Sequence, residues 1–166
     1  MKLETLHSLY IHELQDLYSA ETQIKTALPK LIKGAASDDL KEALQSHLVV
    51  TQLQIDRLHD ILTRHGEDCE GEKCQGMAGI LKEGAKVLDE EGDATLRDLA
   101  LISACQRVEH YEMAGYGNAR TIAERLDEEA DSQLLSDTLE EESGADDELT
   151  SIATILLSQV EVEHVV

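Results

Sequence analysis

The chain predicts an all-α fold, and three observations carry that prediction. It has one Pro, four Tyr and neither Phe nor Trp in 166 residues, so the aromatic side chains that favour strands are nearly missing. Leu, Ala and Glu, which lose little side-chain freedom in a helix, are abundant. Apolar residues also recur at spacings of three and four over long stretches that few glycines interrupt.

The first periodic stretch runs from Leu3 to Ala36, with Pro29 expected to kink or loosen its last turns. Ser37 is a good N-cap for a second helix, and Asp38 and Asp39 sit at that helix's positive end; Gly66 should stop it. Residues 67–76 lack periodicity and read as a loop. A short helix follows from Met77 to about Glu90, with Ile80, Leu81, Ala85 and Leu88 as its apolar face, ending at Gly92. Asp93 can cap a third long helix, Ala94 to about Leu126, and a fourth runs from Glu129 to Val160. Rods of about 30 residues span roughly 45 Å. Four of them, with one long crossover carrying a short extra helix between the second and third, make a four-helix bundle of the ferritin-like kind.

At 18.3 kDa and 42% hydrophobic residues, the chain suits a single domain over residues 1–166. Against 14 Lys and Arg stand 35 Asp and Glu, a formal charge of −21. That field repels phosphate backbones and anionic headgroups, so neither nucleic acid nor a membrane is an expected partner. There is no secretory pattern and no run of about 18 uncharged apolar residues, so a cytoplasmic location is expected. The acidity fits either salt adaptation or ordinary solubility. Three cysteines do not make a disulfide framework. Cys69 and Cys74 read first as plain loop thiols, with a loop disulfide or half a metal site as alternatives.

Successive helical residues differ by about 100°, which exposes carboxylates lying where leucines belong. Leu3, Tyr10, Leu14, Leu17, Leu28 and Ile32 fall within about 40° of Glu21, placing Glu21 inside the apolar stripe. His12, Glu13 and Asp16 point away or to its edge and are expected in solvent. Glu109 and Glu112 share a face with Ile102, Cys105 and Tyr116. Glu142 and Asp146 align with Leu135, Leu139, Leu149 and Ala153. The second helix offers His47 and Gln54 on its inward face but no carboxylate. All of these positions lie midway along their helices, so antiparallel packing brings them to one level. Several anions in a dry core require protons or a cation. Oxygen ligands plus one nitrogen suit iron or manganese, with zinc compatible. Taken singly, each Glu also fits a small phase error that turns it outward, and His47 a hydrogen-bonded core histidine. His110 fits a supporting position beside a ligand. Tyr18 and Tyr116 read as core or as hydrogen-bond partners of ligands.

The segments His12-Glu13-Leu14-Gln15-Asp16-Leu17-Tyr18-Ser19-Ala20-Glu21, Ala27-Leu28-Pro29-Lys30-Leu31, Val108-Glu109-His110-Tyr111-Glu112, Tyr116-Gly117 and Leu139-Glu140-Glu141-Glu142 resemble the YciE/YciF family of bacterial and archaeal proteins. The resemblance spans nearly the whole chain. It implies a ferritin-like fold related in architecture to rubrerythrin, a homodimer, and a role in stress response without a settled activity. It implies metal ligands at Glu21, Glu109, Glu112, Glu142 and Asp146. Family members commonly read His-Leu-Glu-Glu-Thr where this chain has His47-Leu48-Val49-Val50-Thr51, so the ligand expected from the second helix falls on Val50. A site with one metal, a site with His47 as donor, and partial occupancy are the open outcomes.

Two functions follow. One is a metal-binding stress protein, more a binder than an enzyme, with di-metal redox or peroxide chemistry if turnover occurs; iron storage is disfavoured because a small dimer encloses no mineral cavity. The other is a non-enzymatic structural or interaction protein with a metal-free carboxylate cluster. No small-molecule substrate is specified. The helix from Met77 to Leu88 is the candidate dimer face.

Overall fold

The computed structural model describes residues 4–161, among which there are five helices and no strand. They are α1 (Leu6–Gly34), α2 (Asp38–Arg64), α3 (Gln75–Val87), α4 (Ala94–Arg125) and α5 (Glu129–Leu157). Leu3, the expected start of the first helix, lies outside the described residues. The observed start is a capping box: the Thr5 hydroxyl accepts the Ser8 N–H at 3.0 Å, and the Ser8 hydroxyl accepts the Thr5 N–H at 3.0 Å. The loosening expected at Pro29 does not interrupt α1, which continues to Gly34 with the proline exposed.

Ser37 and Asp93 cap their helices as the sequence predicts. The Ser37 hydroxyl accepts the Leu40 N–H, and Asp93 accepts those of Thr95 and Leu96 at 2.8 and 3.1 Å. The helix α2 stops at Arg64, and Gly66 follows at φ 74°, the left-handed conformation that glycine adopts without a Cβ penalty.

The helices α1 and α2 form one long contact and α4 and α5 another; α1 on α4 and α2 on α5 close the four-helix bundle. The crossover from α2 to α4 carries α3, which packs on α4 and α1. It begins two residues earlier than predicted because Cys74 caps it, Sγ accepting the Met77 N–H at 3.5 Å. Cys74 is therefore not a loop thiol. It is buried, with Sγ 3.1 Å from an Asp16 oxygen and 3.0 Å from the Tyr111 hydroxyl, while Cys69 is half-buried and both thiols are free. Asp16, expected in solvent, is drawn into this contact because α3 covers its flank of α1.

The apolar core has two parts. Tyr10, Leu14, Leu17, Leu58, Ile61, Tyr116 and Leu135 fill one end of the bundle; Ile24, Leu28, Leu40, Leu44, Leu101, Ile102 and Leu149 fill the other. Along each helix the changeover falls at a polar residue: Glu21 on α1, His47 to Gln54 on α2, Glu109 and Glu112 on α4, and Glu142 on α5. A polar layer thus divides the core at mid-height.

Candidate metal centre

Four glutamates are buried in this layer, with Glu21, Glu112 and Glu142 at 0% and Glu109 at 3% exposure. Each occupies a core-facing helical position, since three or four residues away lie the buried Leu17 for Glu21, Cys105 for Glu109, and Val108 and Tyr116 for Glu112, and the half-buried Leu139 for Glu142. One ligand atom from each of His47, Glu109, Glu112 and Glu142 lies within 4.8 Å of all the others. The His47 Nε2 is 3.6 Å from a Glu109 oxygen. Ligand atoms around one ion at about 2.0–2.2 Å each are separated by up to about 4.4 Å, so this donor set needs little contraction to hold one.

Hydrogen bonding leaves much of the layer unmet. Tyr116 donates its hydroxyl to one oxygen of Glu21, and the Gln54 amide donates to one oxygen of Glu142. Among the described residues no hydrogen bond reaches Glu21 Oε2, Glu109 Oε2, either oxygen of Glu112, Glu142 Oε2 or His47 Nε2, all of which are buried. Buried polar atoms in folded proteins are nearly always partnered, so a concentration of bare acceptors at one point calls for an ion or for protons.

The titration of the group reflects the same stress. Burial, then the Glu142 charge, raises Glu21 to about 8, with the Tyr116 bond opposing. Burial first and Glu142 next push Glu109 well up. Burial, then the charges of Glu21, Glu142 and Glu109, does the same for Glu112. Without a cation the layer retains protons near neutral pH.

The sequence-predicted set divides here. His47, Glu109, Glu112 and Glu142 converge. Glu21 adjoins them, outside the tightest group but near enough to feel the Glu142 charge. Asp146 turns away: it is half-buried, accepts the Gln106 amide at 3.0 Å, and lies 3.4 Å from the His110 Nε2 at the bundle's edge. Tyr116, read as core or as a ligand's partner, is buried in the core and donates its hydroxyl to Glu21. Val50 lines a cavity of about 240 Å³ between α2 and α5, together with His47, Glu109, Leu44, Ala145 and Leu149. Space therefore stands beside two of the donors where the family expectation places a longer acidic side chain.

Sequence reasoning missed two other buried acids. Asp131 accepts from Tyr10 at 3.1 Å, from His65 at 2.8 Å and from Arg64 at 2.5 Å. Asp98 accepts the Ala36 and Ser37 N–H groups, the latter at 2.6 Å, pinning the α1–α2 turn. Both lie on the stripes that led to the glutamates, Asp131 four residues before Leu135 and Asp98 three before Leu101, so extending each stripe to the helix's first turns would have found them.

Four long helices with a single long crossover, closing around carboxylates from three of them, define a ferritin-like protein. The chain belongs to the YciE/YciF family. The family model described as a domain of unknown function, DUF892, matches residues 5–161. Protein YciF of Escherichia coli K12 is 38% identical over 154 residues, 92% of this chain and 93% of that one. The crystal structure of the E. coli stress protein YciF superposes with a TM-score of 0.91 at 37% identity, covering 95% of this chain and 99% of that one. YcfI from Rhodopseudomonas palustris does so at 0.86 and 38% identity, covering 90% and 95%. A two-domain protein of Anabaena variabilis containing a ferritin-like domain shares the fold at a TM-score of 0.58 and 15% identity, over 93% of this chain and 38% of that one. Among the described residues no helix is long and apolar enough to cross a membrane.

Proposed function

We propose that this chain is a metal-binding stress protein that holds iron or manganese between Glu109, Glu112, Glu142 and His47, with Glu21 alongside. The observation that carries the reading is the set of buried carboxylate oxygens without hydrogen-bond partners, gathered at one level from separate helices. The E. coli relative's description as a stress protein supports the physiological part. Hard oxygen donors with one imidazole favour these metals, and zinc is compatible. A bound iron or manganese ion supplies Lewis-acid and one-electron chemistry. The chain's own contribution is to exclude water through the apolar clusters above and below, to orient Glu21 and Glu142 through Tyr116 and Gln54, and to leave the cavity beside Val50 as a route to the donors. One ion per chain is the stoichiometry favoured, because Val50 brings no donor.

Metal analysis of protein purified without chelator tests this. Near-stoichiometric iron or manganese is expected, lost in the double variant Glu109→Ala/Glu142→Ala and retained in Asp131→Ala. Metal-free protein that takes up neither ion on titration would overturn the reading and leave a cluster neutralised by shared protons.

A further inference from the structure

A second feature, separate from the carboxylate layer, lies between α1, α3 and α4. It is a groove of about 440 Å³, within the range of small-molecule sites. Its walls are Ala27, Leu31, Ile80, Leu81, Ala104 and Val108. The helix α3 approaches α4 closely at two glycines: an added Cβ would stand 2.8 Å from the Tyr111 ring at Gly76 and 3.2 Å from the Ala104 Cβ at Gly84. On α3, Met77 is buried in the core, while Ile80, Leu81 and Ala85 line the groove, whose other walls come from α1 and α4.

The charge around this groove is opposite to that of the molecule. The chain has 35 acidic residues and a net charge of −21, yet among the described residues no Asp or Glu lines the groove, while Lys30, Lys73 and Lys82 do. All three lysines are exposed, and among the described residues none of their ammonium groups makes an ion pair or hydrogen bond. Unpaired cations around an apolar slot, on a surface otherwise rich in carboxylates, match a ligand with an anionic head and an apolar tail.

We infer that the groove binds an amphipathic carboxylate, an aliphatic acid whose tail lies between α1, α3 and α4 and whose head group is met by Lys30, Lys73 and Lys82. The inner end supports a tail rather than a second polar group. Leu31, Leu81, Cys105 and Val108 wall both the groove and a void of about 10 Å³, no larger than one water, whose far side is formed by His47 and Glu109. One layer of apolar side chains therefore separates the tail from the carboxylate layer. The inference does not depend on metal being bound.

Calorimetric titration of the full chain with decanoate tests it. One decanoate per chain is expected, with octanoate weaker by about tenfold for the loss of two buried methylenes. The triple variant Lys30→Gln/Lys73→Gln/Lys82→Gln, all surface changes, should weaken decanoate by about tenfold and leave decanol unchanged. Ala85→Phe, an exposed wall position, should fill the groove and abolish both, with circular dichroism confirming intact helices. Failure of decanoate to bind, or equal binding of decyltrimethylammonium, overturns the inference. So does a dimer that Ala85→Phe breaks and decanoate does not disturb, since the groove then receives a second copy of the chain.

Discussion

Asp131 and Glu112 are both buried acids, at 2% and 0% exposure, but their surroundings differ in kind. Asp131 sits in the first turn of α5, where Tyr10, Arg64 and His65 reach it and both its oxygens are engaged. Glu112 sits at mid-helix among three other glutamates and accepts no hydrogen bond on either oxygen. The first arrangement ties α1, α2 and α5 together at one end of the bundle. The second sacrifices stability unless something positive joins it. Burial of an acid is thus a poor guide to function by itself, and the state of its acceptor oxygens is a better one. This is why the His65, Glu128 and Asp131 group, close enough to be considered for a cation, is better read as a structural clasp.

If that contrast holds, the two regions respond with opposite sign to losing an acid. Asp131→Ala strands the buried Tyr10 hydroxyl and a His65 nitrogen. Arg64, with its side chain 48% exposed, is left in water and contributes little. The expected loss is about 3 kcal/mol of unfolding free energy in urea, with metal content unchanged. A loss below about 0.5 kcal/mol would show that the clasp is ornamental and would remove the comparison's stable arm.

The carboxylate layer is next in size. Glu21 is raised to about 8 from the ordinary 4.5, and Glu109 and Glu112 also lie well up. Between those limits the folded chain holds more protons than the unfolded one. Metal-free protein is therefore most stable at the acidic end of the window and weakens as pH rises through it, by about 1.4 kcal/mol per pH unit where one extra proton is retained. Urea midpoints of chelator-treated protein at about pH 5.5 and 7.5 should differ in that sense, and Glu112→Gln should flatten the slope while stabilising the neutral-pH protein by about 1 kcal/mol. A profile rising across the window would mean the layer is already neutralised by other means.

Periodicity alone made most of this visible. Residues 77–88 and the four long helices follow from apolar spacing and from Ser37, Gly66 and Asp93, because caps and stripes are local properties. Glu21, Glu109, Glu112 and Glu142 follow from phase. Asp146 does not obey it: one turn beyond Glu142 it faces the bundle's edge, where Gln106 and His110 capture it. A stripe about 100° wide cannot distinguish its centre from its margin. The role of Cys74 as a cap, and the α3 contacts that bury it, depend on where the crossover lies against α1 and α4. No local pattern encodes that placement.

The run Glu140-Glu141-Glu142 sharpens the comparison at its smallest scale, because three identical residues occupy three environments on consecutive positions of α5. Glu140 is exposed, Glu141 half-buried and Glu142 fully buried. Glu141 accepts a bidentate pair from Arg57 at 2.6 and 2.8 Å, and its partner's side chain is 25% exposed. An ion pair in that position, still wetted and screened by salt, contributes about 0.5 kcal/mol. Glu141→Gln should therefore shift the urea midpoint slightly downward, less so at high salt, and leave metal content as it was. If it instead removed metal as Glu142→Ala is expected to, the bidentate pair would have to be orienting the donors from outside, and the line between clasp and centre would move outward by one residue.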